Sequence, residues 1–305
     1  MPAPSVVVVG SSNTDMILKL QRIPRPGETI LGGRFATAAG GKGANQAVAA
    51  ARAGGHVTFV ARVGQDVFGD EALEGFRNDG IQADYVVRDA AAPSGVALIF
   101  VSEDGENSIG VAPGANGHLA PEDVKRAAPA FDGASIVLMQ LEIPLETVRA
   151  AADLAWRRRV PVILNPAPAQ PLPDELLRQV SILTPNQSEA ELLTGIPVDG
   201  ERAAAEAAQR LRDRGVKTVV VTLGAHGALV ASDEATQRVP GFAVEPVDTT
   251  AAGDVFNGVL AVALAEGQPL VEAVRFASAA AAISVTKLGA QPSAPMRDAI
   301  QQFLT

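Results

Sequence analysis

Cysteine is absent from the 305 residues, which excludes disulfides, a thiolate nucleophile and any sulfur-ligated zinc site, and suits a reducing compartment. Histidine is nearly as scarce. His56, His118 and His226 are the only three, none paired at metal-binding spacing, so a histidine zinc centre or a Ser-His-Asp triad has little to be built from. Aromatic residues make up 4% of the chain. A core short of rings must be filled by Ala, Val, Leu and Ile, and the Ala-rich stretches 47–53 and 277–282 point to closely approaching helices. Long apolar runs are missing too: those at 6–9 and 96–101 fall far short of the roughly 20 residues that span a bilayer. Residues 1–9 lack the basic and apolar regions of a secretion signal, so a cytoplasmic protein without membrane contact is expected.

Positive charge is also in deficit, with 25 Lys and Arg against 34 Asp and Glu for a net charge of −9. The basic residues are scattered rather than striped, which argues against general nucleic-acid binding. Any phosphate has to be held locally. What the chain does have is 47% apolar and 19% charged residues, the balance of a globular enzyme long enough to bury a substantial core.

Runs of β-branched residues at 6–9, 57–63, 136–141, 160–164, 182–184 and 218–223 alternate with helical patterns at 43–53, 145–158, 202–214 and 269–285. That order is the signature of βαβ units and a mostly parallel sheet covered on both faces. Two stretches, 16–38 and 95–111, break the rhythm with strand-like alternation, and they are expected to form one small, discontinuous β lid on a single unit spanning 1–305. Polar residues or glycine follow the strands at 10–15, Glu142, Asn165, Asn186 and Gly224. In an open parallel sheet those positions converge on one rim, where ligands bind.

Five segments could carry chemistry on that rim, and each has a plainer alternative. Gly40-Gly41-Lys42-Gly43-Ala44-Asn45-Gln46 opens a helix and lets backbone approach an anion or polar ligand, or it is only a tight turn. It is no nucleotide P-loop, because Ala36 and Gly43 stand where that motif needs Gly and Ser or Thr. Asp248-Thr249-Thr250-Ala251-Ala252-Gly253-Asp254 runs into an apolar helix near Val255. Asp254 is either a helix cap or a general base beside an anion hole of small-residue amides. Asn186 and Glu189 could begin a helix in the ordinary way or orient a hydrated magnesium ion. Thr222-Leu223-Gly224-Ala225-His226-Gly227 is a hairpin turn or a glycine shelf for a flat nucleotide, and Asn13 and Asp15 are turn caps or acceptors for a polyol.

Taken together these segments resemble the ribokinase-like, phosphofructokinase-B-type carbohydrate kinase family across nearly the whole chain. Both family signatures are present in order, around Gly40 to Asn45 and from Asp248 to Gly258. Pro26-Gly27-Glu28-Thr29, Met139-Gln140-Leu141-Glu142, Asn165-Pro166-Ala167-Pro168-Ala169 and Lys287-Leu288-Gly289-Ala290-Gln291-Pro292-Ser293 add to the resemblance. It implies a Rossmann-like α/β domain, a β lid that doubles as a homodimer contact, and ATP-dependent phosphorylation of D-ribose at its 5-hydroxyl. A kinase for 2-deoxyribose or another small sugar, or a non-catalytic sugar or nucleotide sensor, is the alternative.

By the same resemblance Asn13, Asp15, Gly41, Lys42, Gly43, Asn45 and Glu142 hold the sugar, and Asp254 is the base with Ala251, Ala252 and Gly253 as anion hole. ATP meets Asn186, Thr222, Leu223, Gly224, Ala225, His226, Gly227, Gly253 and Ser278. Ser278 stands where the family often has a histidine near the adenine. Glu189 acts on Mg2+ through water, and an activating K+ sits among Asp248, Thr250, Ser284, Lys287, Gly289 and Ser293.

Overall fold

The computed structural model describes residues 4–305; the first three residues of the expected 1–305 unit, and of the stretch read for a secretion signal, lie outside them. Strand β1 (Ser5–Val9) is four valines after a serine, and its side chains alternate between two cores. The chain leaves it through β2 (Asn13–Lys19) and returns by β3 (Arg34–Gly40) into α1 (Lys42–Arg52). Next come β4 (His56–Gly64), α2 (Val67–Asn78) and β5 (Gln82–Asp89). A second excursion makes the hairpin β6 (Gly95–Val101) and β7 (Asn107–Ala112), followed by short helices α3 (Pro121–Arg126) and α4 (Ala128–Phe131).

Alternation then takes over, with two helices before its last strand: β8 (Ile136–Met139), α5 (Leu145–Arg158), β9 (Val162–Leu164), α6 (Asp174–Leu177), β10 (Ile182–Leu183), α7 (Gln187–Thr194), α8 (Glu201–Asp213) and β11 (Thr218–Thr222). A hairpin of β12 (Ala228–Ala231) and β13 (Thr236–Val239) and three helices, α9 (Ala252–Ala265), α10 (Leu270–Ser284) and α11 (Arg297–Leu304), complete the chain.

Nine strands form one sheet in the order β13-β12-β11-β10-β9-β8-β1-β4-β5, all running one way except β12, which is antiparallel to both its neighbours near one edge. Helices α1, α2, α9, α10 and α11 pack on the face that receives Val6 and Val8, while α3 to α8 cover the face that receives Val7 and Val9. From β1 the chain first adds strands on one side, β4 then β5, and later on the other, β8 through β11. The point where the winding direction reverses therefore lies between β1 and β8, the place where an open α/β sheet leaves a crevice beyond its strand ends.

Four further strands form the lid in the order β3-β2-β6-β7. Their register fixes both faces, because residues paired across strands point the same way and alternate along them. Asp15, Ile17, Ile99, Ile109 and Val111 share one face; Met16, Leu18, Phe35, Leu98 and Phe100 share the other.

Several boundaries differ from the sequence reading. The lid strands begin at Asn13 and end at Gly40 and Ala112, so Asn13 and Asp15 lie inside β2 rather than in a loop after β1. Asn13 pairs with Gly40, which pulls three polar residues into the ladder although they carry no apolar alternation. Strands β8, β9 and β10 are shorter than their apolar runs, because residues such as Gln140 and Leu141 curve out toward the rim. Helix α9 starts at Ala252, three residues before Val255. The edge strand β5, with its mixed burial, and the half-exposed α2 carry no clear apolar period and were not anticipated.

Candidate active site

Small residues set the geometry of the rim. Gly41 caps α1 at φ 87°, and a Cβ there would stand 2.6 Å from the Asn13 amide nitrogen and 2.8 Å from Ser12 Cα. Only glycine lets the start of α1 lie against the start of the lid. One helix over, Gly258 of α9 faces α1, where a Cβ would sit 2.8 Å from Ala49 Cβ. The alanines of α1 thus meet α9 at near-contact distance, as their clustering suggested, and this close crossing carries Asn45 and Gln46 to Asp254.

Asp254 is 6% exposed. Its Oδ2 accepts from Asn45 Nδ2 at 3.0 Å and its Oδ1 from Gln46 Nε2 at 2.9 Å. Burial pushes its carboxyl above the usual range, against the pull of Lys42, Asn45 and Gln46 and with a further push from Glu142. Lys42 answers this cluster: burial would lower its ammonium, but Asp254, Glu142 and Glu189 outweigh it and hold it above its ordinary value. Glu142 Oε2 accepts from Ser11 Oγ at 2.6 Å and from the Lys42 amide at 3.0 Å, tying the two sides of the crevice together. Asp15 looks in from the lid, its carboxyl raised to about 6 by burial and by the charges of Glu142 and Asp254. Beside it, Asn13 Oδ1 accepts from Asn116 Nδ2 at 2.7 Å.

A cavity of about 180 Å3 opens next to Asp254, lined by Lys42, Asn186, Glu189, Thr222 and the turn from Ala251 to Gly253, among others. Ala251 holds a left-handed conformation, φ 58°, one of two non-glycine residues to do so among those described. Such a turn costs an alanine about 1 kcal/mol and leads directly into α9. The Ala252 N–H reaches back to Thr249 C=O at 3.3 Å, and a Cβ on Gly253 would meet nothing within 4 Å. The open approach to a helix start is an anion site in form.

Asn186 caps α7. Its Oδ1 accepts from the Glu189 amide at 2.8 Å, and Glu189 returns the contact to the Asn186 amide at 2.8 Å and to Nδ2 at 2.9 Å. Burial raises the Glu189 carboxyl against the Asn186 bond and Lys42. With both oxygens already accepting, Glu189 suits a hydrated ion held through water, and the donor set fits magnesium only in that way.

The expected potassium residues gather separately. Asp248 accepts the amides of Thr250 at 2.9 Å and Gly289 at 2.8 Å, while its own amide donates to Val285 C=O. Against the opposing effect of burial, the Thr250 hydroxyl and those two amides hold the Asp248 carboxyl low. Buried Ser284 and Ser293 donate their hydroxyls to Ala281 and Ala290 carbonyls. The carboxyl, hydroxyl and carbonyl oxygens of these turns are ligands of the kind a monovalent cation would take, while the hydrogen bonds join only Asp248, Thr250 and Gly289 of the six residues.

Two groups stand apart from the cavity. Gly224, Ala225 and His226 form an exposed turn after β11, while Leu223 and Gly227 are buried at its base; of this segment only Thr222 lines the cavity. Ser278 is half-buried on α10, away from the cavity wall.

Residues that the sequence left without a role also converge here. Gln46, Gln140, Asn165, Thr184 and Asn257 form a buried polar string behind Asp254, with Thr184 Oγ1 bonded to Asn257 Oδ1 at 2.6 Å and Asn257 Nδ2 to Gly253 C=O at 2.7 Å. The available signal was polarity in the wrong place: Asn257 inside an apolar helix and Gln140 at the end of an apolar strand.

A sheet with its crevice at β1 and β8, a lid over it, and a carboxylate facing a helix-start anion site define a phosphoryl-transfer enzyme for a small polar acceptor. Residues 3–297 match the model of the pfkB family carbohydrate kinases, and the chain belongs to that family. Among its relatives, a ribokinase of Haemophilus influenzae is 45% identical over 300 residues, 98% of each chain. A deoxyribokinase of Salmonella typhi is 38% identical, again over 98% of each. The structure of Arabidopsis thaliana ribokinase complexed with ribose and ATP superposes with a TM-score of 0.92 at 37% identity, covering 99% of both chains.

Proposed function

We propose that this chain transfers the γ-phosphoryl group of ATP to the 5-hydroxyl of D-ribose. The observation that carries the reading is the buried Asp254 carboxylate, placed between Lys42, the lid acceptors Asn13 and Asp15, and the open amides at the start of α9. In this reading Asn13, Asp15, Gly41, Lys42, Gly43, Asn45 and Glu142 hold the sugar hydroxyls. Asp254, whose proton affinity is raised by burial, takes the proton from the attacking hydroxyl. The amides of Ala251, Ala252 and Gly253 face the negative charge on the transferred group, with Lys42 beside them.

Asn186, Thr222 to Gly227, Gly253 and Ser278 form the nucleotide side. Ser278, short and half-buried, leaves the adenine without the histidine contact common in the family. Glu189 would hold Mg2+ through water, and Asp248, Thr250, Ser284, Lys287, Gly289 and Ser293 would hold K+. Magnesium, when bound with the nucleotide, neutralises phosphate charge; potassium would steady the loop leading into Ala251.

We read residues 1–305 as one unit with a discontinuous lid, working in the cytoplasm. The lid face bearing Phe35, 65% exposed, and Leu98, 51% exposed, is proposed as the contact of a homodimer. The deoxyribokinase relative supports a second reading, 2-deoxyribose as acceptor. A coupled assay across a sugar panel, with and without potassium, separates the two. Ribose is expected to be preferred and turnover to depend on the ion; equal or better turnover of 2-deoxyribose would overturn the ribose assignment.

A further inference from the structure

We propose that Gln140, which touches no reacting group, fixes through Gln46 the amide that donates to Asp254, so that the two glutamines are positioning residues for the base. This rests on the reading of Asp254 as the base. A backbone atom sets the polarity of the string. The Thr184 carbonyl can only accept, so Asn165 turns Nδ2 toward it at 3.2 Å and leaves Oδ1 facing α1. Gln46 must meet that oxygen with nitrogen. Its Nε2 lies 3.1 Å from Asn165 Oδ1 and 2.9 Å from Asp254 Oδ1, so both hydrogens are in use.

Gln46 Oε1 is thereby turned toward β8, where Gln140 Nε2 donates to it at 2.5 Å. Both glutamines are 0% exposed. Among the described residues no protein group donates to Gln140 Oε1, which is wedged against Gly10, whose missing Cβ makes the room. An unmet buried acceptor is a standing cost that an apolar residue following Ile136–Met139 would not incur. The stability of the strand gives no reason for a glutamine here; Gln46 Oε1, already turned this way by Asn165, does, because it needs a donor to stay there.

The charged groups facing Asp254 are Lys42 from α1, Glu142 beyond β8, Glu189 from α7 and Asp15 from β2. Against that mainly acidic surround the amides of Asn45 and Gln46 are the uncharged donors that favour its ionised form. With Gln46 reversed, a carbonyl oxygen would replace one of them and repel the carboxylate.

The decisive variant is Gln140→Met, which removes the donor to Gln46 Oε1 without adding a buried charge. We expect kcat to fall about tenfold while KM for ribose and ATP stays within about threefold. The acid limb of the kcat profile should move up by about one pH unit, because a carboxylate that loses a donor holds its proton more tightly. Gln140→Leu should shift the limb the same way, and it serves if the first variant does not fold. Folded Gln140 variants whose acid limb coincides with that of the parent overturn the proposal, whatever their kcat. Asp254→Asn measured alongside separates the two readings. Normal turnover there refutes the base assignment and the relay with it, whereas an inactive Asp254→Asn enzyme beside unshifted Gln140 profiles refutes the relay alone.

Discussion

Asp254 and Asp15 are both carboxylates raised by burial, yet their surroundings separate their tasks. Asp254 has a donor on each oxygen and a lysine nearby, which favour its ionised form against the larger effect of burial. Replacing it by Asn keeps the size and removes the proton acceptor, at the cost of setting an NH2 against one of the two amides that donate to it. Turnover of Asp254→Asn should fall by about 100-fold or more with ATP binding retained, as read by a coupled assay beside nucleotide titration. Asp15 has no cation partner, and its carboxyl is raised from 3.8 to about 6. The folded protein therefore binds a proton that the unfolded chain has released over that window. Its contribution to stability is complete below pH 3.8 and lost as pH rises through about 6. Urea titrations at pH 4.5 and 7.5 should show a smaller difference in stability between the two pH values for Asp15→Asn than for the parent.

Two helix starts, α7 and α9, show how far an element can be read from local chemistry. The Asn186 and Glu189 pair is a capping box in sequence and in structure, so the plain reading of that spacing and the functional one coexist. Asn186→Ala should lower unfolding free energy by about 1 kcal/mol, measurable by urea denaturation, and should also weaken nucleotide binding. Helix α9 is different. Its start at Ala252 follows from a left-handed alanine that no periodicity reveals. Its seat against α1 depends on Gly258, and Gly258→Ala should cost about 1–3 kcal/mol by overpacking. Because the same crossing sets the Asn45 and Gln46 contacts to Asp254, kcat should drop further than the stability loss alone would bring about, a difference that activity at a temperature far below the melting point would expose.

Over the whole molecule, two excursions from the main sheet build the lid, and both return near the crevice between β1 and β8. One lid face brings Asp15 toward the crevice; the other exposes Phe35 and Leu98. An apolar face of that kind is stabilised by covering it. Phe35→Glu should yield a monomer in sedimentation velocity, and a dimer unchanged by that variant would place the contact elsewhere. The net charge of −9 does not oppose nucleotide binding, because the phosphate would meet Lys42 and helix amides rather than a general basic field.

Alternating β-branched and helical stretches, a glycine run ahead of α1 and a small-residue turn ending in Asp254 were legible from the chain alone, since each depends on neighbours within a few residues. The class of fold, the discontinuous lid and the candidate base followed from them. Which polar groups would surround that base was not legible. Gln46 lies 208 residues from Asp254 along the chain, and Gln140 lies 94 from Gln46, so their meeting depends on strand order and on how closely α1 approaches α9. Local pattern selects the elements; only their packing decides which side chains share a desolvated space, and in such a space a single amide's orientation acquires chemical weight.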